Sequence, residues 1–249
     1  MMHPTKSRGT AERFRGDPAK AGYLLQLGDD ALIAAQRLAE WHASSPEMEE
    51  DVALANIALD QLGAARLLLT YAGEIEGRGR DEDALAFLRD DREFRNCLLV
   101  ELPNGDFAVT IAKLFFLSAY QLPLYAKLAG GEDERLAAIA GKTRKESAYH
   151  LDHSAQWTIR LGDGTEESHR RMQEAIDRLW PYTHELTSGD VSRDEWLSIV
   201  EPVLAGATLD RPGDGWAPGG GRTGVHTEHL SYLLAEMQVL HRAHPGAKW

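Results

Sequence analysis

Apolar positions recur every three or four residues along almost the whole chain, and the strict alternation of a half-buried strand appears nowhere. Over residues 18–43, Leu24, Leu27, Ala31, Ala34, Ala35 and Leu38 share one face, which predicts a first helix. In Ser44-Ser45-Pro46-Glu47-Met48-Glu49-Glu50 a serine cap, an early proline and first-turn acids suit the orphan amides of a second helix, continuing through Leu59, Leu62 and Leu69 toward Gly73. The Gly-rich, charged residues 75–83 read as a loop, residues 84–102 as one or two short helices, and Pro103-Asn104-Gly105 as a turn. Asp106 caps residues 107–129, apolar nearly all round, which marks a central helix or one covered by a partner chain. Gly130-Gly131 ends it, and residues 132–161 form the next long helix, stopped by Gly162.

The two short connections make antiparallel pairs, so these segments predict two hairpins joined by a longer crossover. Residues 165–186 form another helix kinked at Pro181, and Ser192-Arg193-Asp194-Glu195 fits a capping box for a helix ending near Leu209. Residues 210–224 are a Gly/Pro-rich loop. Residues 225–244 close the chain as a helix with Leu230, Leu233, Leu234, Met237 and Leu240 at core spacing. The fold class is all-α: a bundle of two hairpins plus additional C-terminal helices.

Composition narrows the function. A chain of 249 residues that is 43% hydrophobic buries one sizeable core, so residues 18–249 are expected as one domain and residues 1–17 as a flexible extension. Lys6, Arg8, Arg13 and Arg15 in that extension flank no apolar run of a secretory signal. The formal net charge of -12 opposes capture of nucleic acid or an anionic membrane. The apolar run at 107–128 is interrupted by Lys113, Gln121, Pro123 and Lys127, unlike a membrane span. Cys97, the only cysteine, excludes an internal disulfide and a thiolate metal site and reads as a buried residue of a cytoplasmic protein.

Two hairpins with a crossover is the frame on which di-iron carboxylate proteins build a site, taking a Glu from each of two helices and Glu-x-x-His from each of the others. Iron needs carboxylate oxygens to balance its charge and imidazoles to suit its softness. Here Asp60-Gln61-Leu62-Gly63 offers one carboxylate and no histidine. Glu146-Ser147-Ala148-Tyr149-His150 places histidine one position late, still on the same face. Residues 107–131 contain no Asp or Glu, and Lys113 is expected to face the place of a bridging carboxylate. Asp30 is the remaining first-helix position, with Asp29 and Glu40 as further candidates whose places near helix ends suit plain solvation. Asp30, Asp60, Glu146 and His150 therefore read as a degenerate set, with no metal, catalytic or cofactor-binding residue expected.

Other motifs have simpler accounts. The literal Glu-x-x-His at Glu166–His169 falls in a helix's first turn, where acids serve the dipole. His150 and His153 share a face with Asp152 as a hydrogen-bonded or solvent-facing pair, and His226-Thr227-Glu228-His229 reads as a helix start. The glycine-rich residues 219–224 match neither a P-loop nor a dinucleotide fingerprint and read as a surface loop. There is no Gly-x-Ser-x-Gly elbow, and Cys97 has no activating histidine nearby in sequence.

Longer runs carry a resemblance. Tyr23-Leu24-Leu25-Gln26-Leu27-Gly28-Asp29-Asp30, Asp51-Val52-Ala53-Leu54-Ala55-Asn56-Ile57-Ala58-Leu59-Asp60 and Val100-Glu101-Leu102-Pro103-Asn104-Gly105-Asp106-Phe107 resemble the C subunits of bacterial phenylacetyl-CoA ring-1,2-epoxidases. So do residues 146–150 and the ending Arg222-Thr223-Gly224-Val225-His226-Thr227-Glu228-His229. The resemblance covers roughly residues 23–249. It implies a ferritin-like helical bundle, inactive alone, that serves as the non-catalytic structural partner of a homologous di-iron A subunit. It also implies a small B subunit and a reductase with flavin and iron-sulfur centres that delivers electrons from NADPH. The residues themselves leave open a self-sufficient di-iron oxygenase with unorthodox ligands and a homo-oligomeric helical binding protein.

Overall fold

The computed structural model describes residues 16–247. The extension expected at residues 1–17 lies outside them, apart from Gly16 and Asp17. Asp17 caps α1 (Pro18–Ala39), its carboxylate accepting from the amides of Ala19 and Lys20 at 3.0 and 3.1 Å, with Pro18 in the first turn where its missing N–H is no loss. α1 stops at Ala39, short of the expected Ala43. Ala43 has a left-handed φ of 62°, and its N–H is drawn to the Asp51 carboxylate at 2.8 Å, so the chain reverses before α2 (Met48–Glu76) begins. Ser44 and Pro46 therefore lie in the connection; the N-cap is Glu47, with no side-chain cap.

The crossover carries α3 (Glu82–Phe87), a 3-10 turn at Asp91–Glu93 and the single turn α4 (Leu98–Glu101). Asp106 then caps α5 (Phe107–Ala129), accepting from Val109 N–H at 3.1 Å. Asp133 caps α6 (Glu134–Gly162). The Asp133 carboxylate also takes Lys20 of α1 at 2.8 Å and the Tyr71 hydroxyl of α2 at 2.9 Å, which ties the same end of both hairpins. α1 and α2 pack along their lengths, as do α5 and α6. This is the ferritin-like frame, all-α, with no strand among the described residues.

α7 (Glu166–Leu179) and α8 (Arg193–Gly206) lie against the second hairpin, and α9 (Glu228–Ala243) covers the crossover. Pro181 replaces the expected kinked helix with a 3-10 segment, Trp180–His184. α5 is the central helix. Phe116 on it meets Trp180 and Trp196 at ring centroids of 5.7 and 5.4 Å, and Trp196 Nε1 donates to the Phe116 carbonyl at 3.1 Å.

Three buried carboxylates bind the irregular segments to this frame. Asp29 and Asp30, adjacent on α1, are interior residues and not solvated helix ends, which corrects the sequence expectation. Asp29 takes both Arg89 amino groups, Nη1 at 2.9 Å, and the Arg95 amide at 2.8 Å. Asp30 takes both Arg222 amino groups at 2.8 and 2.7 Å and the Cys97 amide at 2.7 Å. Burial pushes the Asp30 carboxyl up, and the two-pronged Arg222 contact opposes it. Glu101 takes His226 Nδ1 at 2.7 Å, Asn96 Nδ2 at 2.8 Å and the Thr227 amide at 2.6 Å.

Residues 219–224 are thus no plain surface loop. A Cβ on Gly221 would collide with the Asn96 carbonyl, and Gly224, with φ of 84°, lies equally close to the Arg92 carbonyl. Glycine is what lets Arg222 reach Asp30.

Removing one partner from such a pair strands a buried charge, so Arg89→Ala is expected to lower stability by about 3–5 kcal/mol in urea unfolding. His226 supplies a pH signature. Both its ring nitrogens face acceptors, Glu101 and the Phe94 carbonyl, so although burial disfavours its charge, the Glu101 contact leaves its pKa raised above 6.5. A raised basic pKa means the bound proton stabilises the fold fully below pH 6.5, and that contribution fades as pH climbs through the folded value. Stability measured across that window should fall with pH, and His226→Gln should abolish the slope.

Candidate functional site

Where α2, α5 and α6 meet, the apolar spacing of α2 is broken by Gln61, which stands in line with Leu54, Ile57, Ala64 and Leu68 on the buried face. Gln121 is the matching residue of α5. Their amides bond reciprocally: Gln61 Nε2 donates to Gln121 Oε1 at 2.8 Å, and Gln121 Nε2 returns the bond at 3.1 Å. Gln61 Nε2 also lies 3.5 Å from His150 Nδ1, while His150 Nε2 lies 3.1 Å from the Asp60 carboxylate. A neutral imidazole satisfies this chain, with Nε2–H donated to Asp60 and bare Nδ1 toward the amide. Burial holds the His150 pKa below its usual value against the opposite pull of Asp60.

Glu146, one turn before His150 on α6, pairs with Lys142 at 2.8 Å through one oxygen, and its other oxygen is buried without a hydrogen-bond partner. Across from it is Gly63, the position a Glu-x-x-His motif would fill with histidine. The Lys142 ammonium lies 3.7 Å from where a Cβ on Gly63 would stand. Farther along the same seam His153 Nε2 is 3.2 Å from Glu50.

These residues do not fit a di-iron centre. The space between the helices is held by two neutral amides already satisfied by each other, and the Lys142 ammonium partners one oxygen of Glu146. Among the described residues no three His, Cys, Asp or Glu side chains come together in a metal-holding group. Asp60 and His150 are brought together with Glu146 near by on the same helix face. Asp30 is not: Arg222 and the Cys97 amide claim it on the crossover side of α1.

Lys113 requires correction. It was expected opposite this group, but its ammonium donates to the Leu102 carbonyl at 2.6 Å and to Asn104 Oδ1 at 3.0 Å. Gln121, eight residues or roughly 12 Å farther along α5, is what faces the group. Burial, aided by Arg37, pulls Lys113 down to about 7, because both its acceptors are neutral.

The remaining candidates are structural. Glu40 is exposed and pairs with Arg37 at 2.7 Å. His169 Nδ1 lies 2.7 Å from the Gly162 carbonyl, closing the end of α6. His226 is an interior partner of Glu101 and not a capping residue. Gln61 and Gln121 escaped sequence reasoning, although an amide at core spacing inside an apolar helix was the signal that could have found them.

Removing one amide leaves the other buried and unpaired, so Gln61→Leu is expected to cost about 1–3 kcal/mol, and Gln61→Leu with Gln121→Leu less than the sum. Calorimetry of the four variants in that cycle reads the coupling. In a histidine NMR titration, Asp60→Asn should drive the His150 pKa still lower, since Asp60 is what holds it up.

Comparison with known proteins bears on this frame. The family described as phenylacetic acid catabolic protein matches residues 11–193 and 188–249. The C subunit of the 1,2-phenylacetyl-CoA epoxidase of Escherichia coli (strain K12) is 48% identical over 243 residues, covering 91% of this chain and 98% of that protein.

Proposed function

This chain belongs to the phenylacetic acid catabolic protein family, and from that premise we propose that it is the non-catalytic structural subunit of a phenylacetyl-CoA ring-1,2-epoxidase. In this reading it pairs with a homologous catalytic A subunit that holds the di-iron centre and binds the acyl-CoA. A small B subunit and a reductase carrying flavin and iron-sulfur centres complete the assembly, which works in the cytoplasm. The observation that carries the reading is the Gln61–Gln121 amide pair, which occupies with neutral, mutually satisfied groups the place where iron would require carboxylates. The likeness to the Escherichia coli protein over nearly its whole length supports the place of this chain as one subunit of such an epoxidase.

The chain's own role is positional. α2, α5 and α6 are held in register by a continuous series of hydrogen bonds through Asp60, His150, Gln61 and Gln121. A scaffold of that kind keeps its shape while a neighbour binds and loses its ions, and it supports the neighbour's ligand geometry from outside.

Co-expression with the A subunit encoded in the same genome, followed by size exclusion and metal analysis of each separated chain, tests the proposal. A mixed complex is expected, with iron confined to the A subunit. Stoichiometric iron on this chain, or epoxidation of phenylacetyl-CoA by it with reductase alone, would overturn it.

A further inference from the structure

α2 is apolar on two opposite faces. Its inner face holds Leu54, Ile57, Ala64 and Leu68 in the core. Its outer face carries Met48, Val52, Ala55, Leu59 and Leu62, followed by Arg66, at the alternating spacing of four and three that sets a seam for a second helix. Met48, Val52 and Leu59 are 79%, 56% and 64% exposed.

α5 gives the measure of what is missing. The two helices share a mean hydropathy of 1.4 over their most apolar 18 residues, yet 83% of that stretch is buried in α5 and 44% in α2. A face so apolar is not left to water over such a length without reason. Beside it, between α1 and α2, opens a groove of about 290 Å³ floored by Ala35, Ala39, Ala55 and Ala58 and walled by Leu59 and Leu62. Alanines there admit a large apolar side chain from outside.

We infer that the outer stripe of α2 and this alanine-floored groove are the seat of an amphipathic helix of the partner chain. The stripe from 48 to 66 is about 27 Å long, enough for five turns of helix on helix. Its rim selects the occupant. Glu47, Glu49, Asp51 and Asp60 flank its first two-thirds, and Arg66 is the one basic residue of α2. That rim repels an anionic bilayer, and a chain of net charge -12 is a poor partner for its own copy. It fits a helix whose apolar seam is bordered by Lys and Arg. The inference rests on the reading of this chain as one subunit of a mixed complex, and it names the surface that reading requires.

The test uses the full chain and the co-expressed A subunit, with affinity read by biolayer interferometry. Leu59→Glu with Leu62→Glu, both solvent-facing in the free chain, should leave the circular dichroism and urea midpoint unchanged and weaken the complex at least 30-fold. Val239→Glu, on the exposed face of α9, should leave affinity within threefold. Hydrogen exchange over residues 48–66 of the unsubstituted chain should slow on complex formation, which reads the same contact without any substitution.

A complex that survives the double substitution, with exchange at 48–66 unchanged, overturns the inference and leaves the subunit reading standing. Failure of the unsubstituted chain to bind the A subunit at all strikes the subunit reading itself. If the isolated chain forms a dimer, or floats with phosphatidylglycerol vesicles, and the double substitution abolishes it, the occupant is a second copy or a bilayer and the inference is overturned.

Discussion

Two neighbouring carboxylates in the middle of the first helix set the terms for the rest of the molecule. An unpaired buried carboxylate costs several kcal/mol, so Asp29 and Asp30 make sense only if cations are brought to them. Arg89 arrives from the crossover, and Arg222 from the loop before α9. Because adjacent residues of a helix point about 100° apart, the two carboxylates draw in two different segments. Regions with almost no regular structure thereby acquire fixed places, and Cys97, Arg95 and Asn96 are positioned by the same set of buried acceptors.

The helical frame was readable from the sequence because its causes are local. Asp106 and Ser192 each cap the helix their position promised, and the apolar period of α5 and of the first turns of α9, through Leu230, Leu233 and Leu234, matches what the core buries, whereas Leu240, expected at core spacing, faces outward and is exposed. What escaped depends on contacts between residues far apart in sequence. Asp29 and Asp30 could be seen as acids on a helix, but not as acids whose counter-ions lie 60 and 192 residues away. The glycines at 221 and 224 were visible, while the close packing that requires them was not. Helical period fixes a face of α5 but not which turn of it meets the group, so Lys113, roughly 12 Å along the axis from Gln121, lies beside Leu102 and Asn104.

At the centre of the bundle the seam between α2 and α5 is filled by uncharged amides. A di-iron site fills this space with carboxylates whose mutual repulsion is tolerable only while metal is present. Here two amides use their own donors and acceptors on each other, so that pair asks for no outside partner. His150 and Asp60 form the outer edge of that arrangement, and Gly63 leaves room for Lys142. At this level α2, α5 and α6 are joined by side-chain hydrogen bonds running from Asp60 through His150 and Gln61 to Gln121.

The same anchoring has a temporal side. Asp29 and Arg89 emerge from the ribosome close together, whereas Asp30 and Glu101 precede Arg222 and His226 by more than a hundred residues. Asp30 and Glu101 gain these partners only when residues 222–227 are in place. The loop at 219–227 therefore acts as a closing latch, fastening the end of the described chain back onto the first helix and the crossover.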